Sequence, residues 1–415
     1  MEKLHKIGFS KLTPLEVALD MIFSKIEINS FEEVEIDNVL NRILALDIIS
    51  KVDIPPFDRS AMDGYAIKAE DSFRASPKNP KMIKLVGKIE IGESTKLKIN
   101  RNEAIRISTG APIPEGSDAV IKIEDTENED DLISLYVSLV PGKNISRKGE
   151  DFKIGTKVLS KGTELKAEHI ALLSSLGYAK VSVHTKPEIS IFSSGDELIE
   201  PGESLKPGKI YNSNTSMISA LVNLYGGIVL RGESVQDDKE SIRNRLIEAS
   251  KDSQVIVFTG GTSIGTKDYL PEIMNESGVI LTHGVAQRPG APVLIGYLSD
   301  TLVFCLPGTP VAAYVSFIKI VGPAIRKMMG CTIIDPRIEV VAKISKDVPV
   351  SSLGFVHYLR VSLERVAEGI IANPIKLKGS GVISSLTSSD GIVEILPHQE
   401  GLKKGEDVIV KLMPK

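Results

Sequence analysis

Apolar runs alternate with helical patterns between residues 187 and 330 of the chain. The runs are EISIFSS, VIVF, PVLIGYL and TLVFCL. The segments between them repeat apolar residues with a helical period, with Asn214 and Thr309 as predicted helix caps. Continuous apolar runs are typical of strands that are covered on both faces. This region therefore predicts a doubly wound α/β domain with a parallel sheet, which binds ligands at the carboxyl ends of its strands.

The flanking regions show the shorter, alternating pattern of β structure. Residues 83–139 contain several alternating runs broken by turns and predict a β-rich module. Strand candidates return after Gly330 and predict a small C-terminal β-barrel. Nearer the N-terminus, helical patterns predict one helix over residues 13–25 and a shorter one over residues 37–46.

The stretch from Val255 to Leu270 combines a strand, a glycine-rich loop and a helix start in the sequence VIVFTGGTSIGTKDYL. Asp268 occupies the position of a helix cap. Accessible N–H groups in such a loop and the dipole of the following helix both favour an anion. The glycine spacing matches neither a Walker loop nor a dinucleotide-binding fingerprint. The alternative is an ordinary glycine-rich connection of an α/β domain.

Acidic residues follow the predicted strands. Glu197, Asp238 and Asp268 should gather along one edge of the sheet, where their charges call for a cation. A phosphate ligand supported by Mg²⁺ over the glycine-rich loop would account for both features. Capping is the alternative role, and Asp237 with Glu240 has the spacing of a capping box.

A second acidic segment, VDIPPFDRSAMDGYAIK, carries Asp58 and Asp63 beside Ser60 and Gly64. These carboxylates could hold a divalent cation or position a polar ligand. The alternative is a turn whose aspartates bond to the local backbone.

Charge and cysteine content limit the functional classes. A net charge of −4 and a pI near 6.0 argue against a nucleic-acid binder. Cys305 and Cys331 are too few and too far apart for a disulfide framework, which indicates a reducing compartment. No run is long enough to cross a membrane, and the N-terminus lacks the apolar core of a signal peptide. We therefore expect a soluble, cytoplasmic protein.

Seven motifs give the chain a family resemblance over nearly its full length. They are PPFDRSAMDGYA, RISTGAPIPEGSDAV, RKGED, FSSGDEL, TGGTSIGTKDY, LPGTPVAAY and GSGVISSL. In these motifs and their order the chain resembles the molybdopterin molybdenumtransferase family, of the MoeA and gephyrin E-domain type. The resemblance implies insertion of molybdenum, or tungsten, from its oxyanion into adenylylated molybdopterin, with hydrolysis, release of AMP and a requirement for Mg²⁺. A molybdopterin adenylyltransferase would be the pathway partner.

The resemblance also implies a homodimer of four-domain subunits. The domains would be a split linker domain (1–50 and 143–185), the β-rich module (51–142), a molybdopterin-binding α/β domain (186–330) and the barrel (331–415). Carried over motif by motif, the catalytic acids would be Asp58, Asp151, Glu197, Asp238 and Asp268, and the last three are also the implied Mg²⁺ ligands. The implied ligand-binding residues are Thr109, Ser194, Gly195, Gly260, Gly261, Ser263, Arg288, Pro289, Gly290, Pro307, Gly308 and Ser380. Asp58 and Asp151 lie outside the α/β domain, so in a dimer they could reach the partner's cleft.

Three departures fall in the family's oxyanion pocket. Where the family reads Lys-Pro-Gly-Lys-Pro, Pro-Gly-Asn-Pro-Val-Ser and Gly-Arg-x-Glu-Phe, this chain reads RPGAP, PGTPVA and GFVHYLR. Ala291, Ala312 and Phe355 therefore replace a lysine, a serine and an arginine, and His357 replaces a glutamate. Each lost charge-assisted donor would contribute about 1.5–3 kcal/mol to holding an anion.

The residues left in that pocket are Arg288 and Ser380, and Lys267 or Arg360 could compensate for the losses. The departures keep a rival hypothesis open. It is a diverged paralogue that binds or hydrolyses a nucleotide-pterin ligand without inserting metal, or that acts as a non-catalytic scaffold.

Overall fold

The computed structural model describes residues 12–92, 96–260, 269–375 and 379–414. Within these residues, α-helices occur at α1 (Leu15–Phe23), α2 (Ala167–Ser175), α3 (Ser213–Leu224), α4 (Lys239–Ala249), α5 (Tyr269–Ser277), α6 (Pro310–Ser316), α7 (Gly322–Met328) and α8 (Ser384–Thr387). A π-helical turn at Phe317–Val321 joins α6 to α7, and short 3₁₀ turns lie at Ile36–Asn38, Ala69–Ser72 and Ile123–Asp125. No helix among the described residues is long and apolar enough to cross a membrane.

Strands are distributed along the whole described chain. The N-terminal part contains β1 (Phe31–Glu35), β2 (Ile48–Ile49), β3 (Arg59–Ser60), β4 (Gly64–Ile67), β5 (Lys81–Ile89), β6 (Glu103–Ile107), β7 (Ala119–Lys122), β8 (Thr126–Glu129) and β9 (Leu132–Leu135). The middle part contains β10 (Ile145–Ser146), β11 (Lys157–Leu159), β12 (Lys180–His184), β13 (Glu188–Ser194), β14 (Leu198–Ile199), β15 (Ile210–Tyr211), β16 (Ile228–Val235) and β17 (Val255–Thr259). The C-terminal part contains β18 (Val279–His283), β19 (Gln287–Arg288), β20 (Leu294–Leu298), β21 (Thr301–Leu306), β22 (Glu339–Ile344), β23 (Val348–Pro349), β24 (Val356–Val366), β25 (Gly369–Pro374), β26 (Gly391–Ile395), β27 (Gly401–Leu402) and β28 (Asp407–Leu412).

The central sheet has the strand order β16-β13-β17-β21-β20-β18 and confirms the predicted α/β fold. Every residue of β17 is buried. Val255 and Val257 join the core that contains α1, α3, α6 and α7, whereas Ile256 and Phe258 join the core that contains α4 and α5. The continuous apolar run thus reflects a strand with helices packed on both faces.

The prediction of a fully parallel sheet is wrong for its last two strands. Neighbouring strands are parallel from β16 to β21, but β20 pairs antiparallel with both β21 and β18. The physical reason lies in the connection, since only Ser299 and Asp300 separate β20 from β21. Two residues can close a hairpin, whereas a parallel pair requires a crossover of a dozen residues or more.

The β-rich module is a six-stranded sheet with the order β7-β4-β6-β5-β9-β8. β4 lies between β7 and β6 and is buried along its length. A Cβ atom at Gly64 would lie 1.9 Å from the carbonyl oxygen of Ile121. Glycine is therefore required where β4 meets β7.

Strand pairs join the segment before this module to the segment after it. β1 pairs with β12, β2 with β11 and β3 with β10, all antiparallel. The helix predicted over residues 37–46 is wrong, because only the Ile36–Asn38 turn is helical. Ile43 and Leu44 instead form bridges to Glu164 and Val183. Tertiary pairing has overridden a weak local helical pattern. The four domain boundaries stay predictions.

The C-terminal part forms the predicted barrel. β24, β25, β22, β28 and β26 are hydrogen-bonded in that order, and the pairing of β24 with β26 closes the ring. β19 of the α/β domain adds to the outside of β24 in parallel. The barrel is therefore attached directly to the domain that carries the central sheet.

Five charged residues, which we call the polar joint, lie where the barrel meets the α/β domain. They are Lys319, Asp335, Arg337, Glu394 and Lys411. Arg337 is buried and makes two hydrogen bonds to the Asp335 carboxylate, of 2.8 and 2.7 Å. Lys319 Nζ lies 2.8 Å from Glu394 Oε1, and Lys411 Nζ lies 3.2 Å from Asp335 Oδ2. Buried charges require such pairing, so the polar joint fixes the barrel's position.

Candidate functional site

A cleft of about 980 Å³ opens at the carboxyl ends of β13, β17 and β21. Its position agrees with the rule that α/β sheets bind ligands at this edge. Seven residues predicted from the family motifs line it: Ser194, Gly195, Glu197, Gly260, Gly290, Pro307 and Gly308. An eighth, Ser380, reaches it from the C-terminal part of the chain. One cleft therefore gathers predicted residues from five separate motifs.

The loop after β13 brings a carboxylate to the cleft. A Cβ atom on Gly195 would lie 2.7 and 2.8 Å from the two oxygens of Glu197. The missing side chain therefore leaves room for the Glu197 carboxylate to fold back over the loop. Gly195 and Glu197 act as one unit, in which the glycine permits the placement of the acid.

Two glycines form the floor of the cleft. Gly260 ends the described part of the glycine-rich loop with a φ of +97°. A Cβ atom there would lie 2.5 Å from the carbonyl oxygen of Ser194, and one on Gly308 would lie 3.4 Å from the Cα of Gly260. The loops that follow β13, β17 and β21 thus approach one another closely, and a side chain on Gly260 would push its loop away from Ser194.

Replacing Gly260 by alanine is expected to lower the free energy of unfolding by about 2–4 kcal/mol, through a left-handed backbone and a forced shift of Ser194. Chemical denaturation of the purified variant measures the loss. Gly202→Ala is the matched control, since Gly202 has a φ of +100° but no atom within 4 Å of its added Cβ. Equal losses in the two variants would contradict the close approach of the loops.

The first turn of α3 forms a second wall. Asn212 caps this helix, since its side chain accepts a hydrogen bond from the backbone N–H of Thr215. The prediction of Asn214 as the cap is wrong, because that residue lies within the first turn. Behind the wall, the Ser193 hydroxyl lies 2.7 Å from the Thr215 hydroxyl and 2.8 Å from that of Thr259. These buried bonds hold the start of α3 against β13 and β17.

The C-terminal part of the chain supplies the third wall through Ser380, Gly381 and Ile383. The carbonyl oxygen of Ser380 accepts a hydrogen bond of 3.0 Å from the backbone N–H of Val311, at the start of α6. Ala312, in the same first turn of that helix, also lines the cleft. The cleft is therefore completed across the joint between the α/β domain and the barrel.

The acidic residues divide into two groups. Asp237 lines the cleft, as does Glu197. Asp238 instead caps α4, where its carboxylate accepts a 2.8 Å hydrogen bond from the backbone N–H of Ser241. That bond holds the pKa of Asp238 below its ordinary value. The prediction that Asp237 caps this helix is therefore wrong, because the cap is the next residue, Asp238. Asp268 lies outside the described residues, as do Gly261, Ser263 and Lys267.

Three other predicted residues lie in the linker region and the β-rich module rather than in the cleft lining. Asp58 accepts hydrogen bonds from the Lys148 backbone N–H at 2.8 Å and from Arg147 at 2.6 Å. The Lys148 bond and then the Arg147 contact hold the pKa of Asp58 below its ordinary value. Asp151 is exposed nearby, and its backbone N–H donates to the carbonyl of Ile54. The Thr109 hydroxyl donates to Asp63.

The expected oxyanion residues Arg288 and Pro289 also lie outside the cleft lining. The Arg288 guanidinium stacks over the Phe355 ring at 4.3 Å and donates a 3.1 Å hydrogen bond to the Ser351 hydroxyl. Phe355 occupies the position of the family's arginine. It also contacts Arg288, the cation that remains among the expected oxyanion residues. His357 Nε2 lies 2.8 Å from the carbonyl oxygen of Ser352. Burial lowers the pKa of Arg360.

The carboxylates of the cleft suit Mg²⁺ chemically. Within the described ranges, no group of three or more His, Cys, Asp or Glu residues could hold a metal by itself. Mg²⁺, however, is commonly bound by one or two carboxylates together with substrate phosphates and waters. Glu197 and Asp237 provide such a pair of hard oxygen donors at the cleft, whereas Asp238 is engaged in capping.

Comparisons with known proteins cover the same regions. Residues 13–177 match the "MoeA N-terminal region (domain I and II)", residues 190–327 the "Probable molybdopterin binding domain" and residues 344–413 the "MoeA C-terminal region (domain IV)". The molybdopterin molybdenumtransferase of Staphylococcus epidermidis is 34% identical over 410 residues, covering 98% of this chain and 97% of that protein. The chain belongs to the molybdopterin molybdenumtransferase (MoeA) family.

Two further relatives agree with this membership. The molybdopterin molybdenumtransferase of Bacillus subtilis is 35% identical over 387 residues, covering 92% of this chain and 90% of that protein. The crystal structure of a molybdopterin biosynthesis moeA protein from Pyrococcus horikoshii has a TM-score of 0.84 and 36% identity, covering 97% of this chain and 100% of that one. The similarity therefore extends over the whole MoeA fold.

Sequence reasoning missed several residues of the cleft. Asn212, Ser213 and Asn214 line it from the start of α3, and Tyr211 precedes them. The available signal was the run YNSN between an acidic loop and a helical pattern. In an α/β domain a polar run at the carboxyl end of a strand lies at the ligand edge of the sheet, but its residues are equally typical of a helix cap.

Proposed function

We propose that this protein inserts molybdenum or tungsten, taken from the oxyanion, into adenylylated molybdopterin, with hydrolysis of the adenylyl linkage and release of AMP. The observation that carries the proposal is the cleft at the strand ends, which is lined by two carboxylates and by closely packed glycine loops. Its volume of about 980 Å³ suits a ligand made of a pterin and a nucleotide. Membership of the MoeA family supports the same reaction.

Glu197 is the residue that we assign to the hydrolytic step. A carboxylate at the cleft can orient a water molecule and accept its proton as the water attacks the phosphoryl group. Gly195 leaves room for this carboxylate above the loop. Bound Mg²⁺ would supply charge stabilisation at the phosphoryl oxygens, with Glu197 and Asp237 as its protein ligands. Asp268 stays a predicted member of this set.

The rival function is hydrolysis or binding of the nucleotide-pterin without metal insertion. Two observations favour it: Arg288 is engaged by Phe355 and Ser351, and Ala312 lines the cleft where the family has a serine. Both reduce the number of hydrogen-bond donors that could hold an oxyanion. Ser380 retains its hydroxyl at the cleft.

Release of AMP from adenylylated molybdopterin tests the proposal. The protein is incubated with this substrate and Mg²⁺, with molybdate, with tungstate, or with neither oxyanion. We expect AMP release that depends on one oxyanion and is abolished when Mg²⁺ is chelated. Release at the same rate without any oxyanion would favour the hydrolase, and the absence of release under every condition would favour a scaffold.

We also propose a cytoplasmic homodimer that receives its substrate from a molybdopterin adenylyltransferase. In such a dimer, Asp58, Asp151 and Thr109 would complete the partner's cleft. Their support is chemical, because the linker region and the β-rich module present these polar side chains outside the lining of the chain's own cleft.

Mixed dimers test the shared site. Asp58→Ala and Glu197→Ala subunits are each expected to be inactive alone. When co-expressed with different affinity tags and purified through both tags, the mixed dimers should regain up to about half the wild-type activity, because one of their two sites is intact. Mixed dimers no more active than the parent variants would exclude shared sites.

A further inference from the structure

Asn214 lines the cleft, and the oxygen of its side-chain amide has no hydrogen-bond partner among the described residues. The residue is 9% exposed and lies in the first turn of α3. Its Nδ2 donates a 2.8 Å hydrogen bond to the carbonyl oxygen of Gly308, on the cleft floor. Its Oδ1 is buried and has no hydrogen-bond partner in the described part of the chain. Buried polar atoms of this kind are normally paired, so Oδ1 lacks a hydrogen-bond partner that a ligand in the cleft would supply.

The contact with Gly308 fixes which way the amide points. A carbonyl oxygen only accepts hydrogen bonds, so the Asn214 side chain must present its NH₂ group there. Rotating the amide by half a turn would bring two oxygens together. Oδ1 therefore stays a pure acceptor on the other side of the amide.

Ser194 provides a second unpaired group on the same floor. Its side chain is 6% exposed, lines the cleft, and its Oγ has no partner within the described residues. The carbonyl of Ser194 contacts the position of a Gly260 Cβ, and Gly260 in turn contacts Gly308. Asn214 and Ser194 are thus anchored to the same three packed loops.

The chemistry of the two groups selects a ligand class. Phosphate and metal oxyanions present acceptor oxygens, which the Asn214 Oδ1 would repel. An N–H donor suits Oδ1, and a hydroxyl such as that of Ser194 can donate to, or accept from, the adjacent atom. An amino group beside a ring nitrogen offers this combination.

We propose that Asn214, with Ser194, recognises the amino-bearing edge of the substrate's heterocycle. Asn214 is then a specificity-determining residue and not one that holds the anion. The proposal rests on the proposed function for its ligand. Pterin and adenine both carry this amino edge, and ligands that lack only the amino group separate the two sources.

The test measures binding of two matched ligand pairs by calorimetry. AMP is compared with purine riboside 5′-monophosphate, and pterin with pteridin-4(3H)-one, since the second member of each pair lacks only the amino group. The wild-type protein should bind the amino-bearing member of one pair about tenfold more tightly, the effect of one hydrogen bond. The pair that shows this preference identifies the ring.

Asn214→Leu should remove the preference, so that both members of that pair bind with similar affinity. Asn223→Leu is the matched control, because it makes the same substitution at an exposed position of the same helix, and it should keep the preference.

Three results would overturn the proposal. They are equal affinities for the members of both pairs in the wild-type protein, a preference that persists in the Asn214→Leu variant, and no binding of any of the four ligands. The first and third need no variant, so misfolding cannot obscure them. Failure of the insertase function is a separate result, because it shows in oxyanion-dependent turnover, whereas these titrations need neither oxyanion nor turnover.

Discussion

Replacing Glu197 by glutamine is expected to lower kcat/KM for oxyanion-dependent AMP release by about a hundredfold to a thousandfold, the usual effect of losing a positioned proton acceptor. The substitution keeps the size of the side chain and its place over Gly195. It removes the negative charge that accepts a proton and that can share Mg²⁺ with Asp237. Steady-state assays at saturating Mg²⁺ measure the effect.

The folded structure should be unchanged in this variant, because the Glu197 side chain lies at an open cleft. Glu203→Gln is the matched control, since it removes an exposed carboxylate from the same loop region. We expect the control to retain wild-type activity. Activity within a fewfold of wild type in Glu197→Gln would remove Glu197 from the chemical step.

Replacing Asp335 by asparagine is expected to lower the free energy of unfolding by about 3–5 kcal/mol, because it leaves the buried Arg337 without its charged partner. The Arg337 side chain is only 1% exposed, and its next carboxylate, Glu394, lies 3.8 Å away. Chemical denaturation of the purified variant measures this loss.

The effect on stability should depend on pH. Burial opposes ionisation of Asp335, but the hydrogen bonds and charge of Arg337, with the charges of Lys411 and Lys319, outweigh it and hold the pKa of Asp335 below its ordinary value. A lowered folded pKa means that the contribution is full above about pH 4 and is lost as pH falls through the folded pKa. The difference in the free energy of unfolding between the wild-type protein and the Asp335→Asn variant should therefore become smaller at acidic pH.

A surface pair of the barrel provides the comparison. Lys343 and Asp407 lie 2.9 Å apart, but their side chains are 53% and 64% exposed. Asp407→Asn should change stability little, because exposed ion pairs contribute little. Equal losses in the two variants, or a gap that is constant with pH, would show that Asp335 is not the charged anchor of the barrel.

Strongly patterned elements were predictable from the sequence. The run at β17 is apolar throughout because helices cover both of its faces, and that local signal needs no knowledge of the rest of the chain. The predicted 37–46 helix failed for the opposite reason. Ile43 and Leu44 find their backbone partners more than a hundred residues away, and no local pattern reveals such a pairing.

The candidate site was predictable where motifs fix the backbone. Gly195 and Gly260 line the cleft, and their missing side chains leave room for the Glu197 carboxylate and for the Ser194 carbonyl. Side chains that depend on tertiary contacts were harder to anticipate. The contact between Arg288 and Phe355 requires β19 to pair with β24. The local spacing of residues in the sequence does not predict this long-range pairing.

In the proposed function, the protein couples AMP release to metal insertion. The most direct measurement isolates the pterin product after a single turnover and compares its molybdenum and tungsten content with the AMP formed. The account predicts one metal atom in the pterin for each AMP released, with both falling together in the Glu197→Gln variant. AMP released into solution with a metal-free pterin would contradict the account and identify a hydrolase instead.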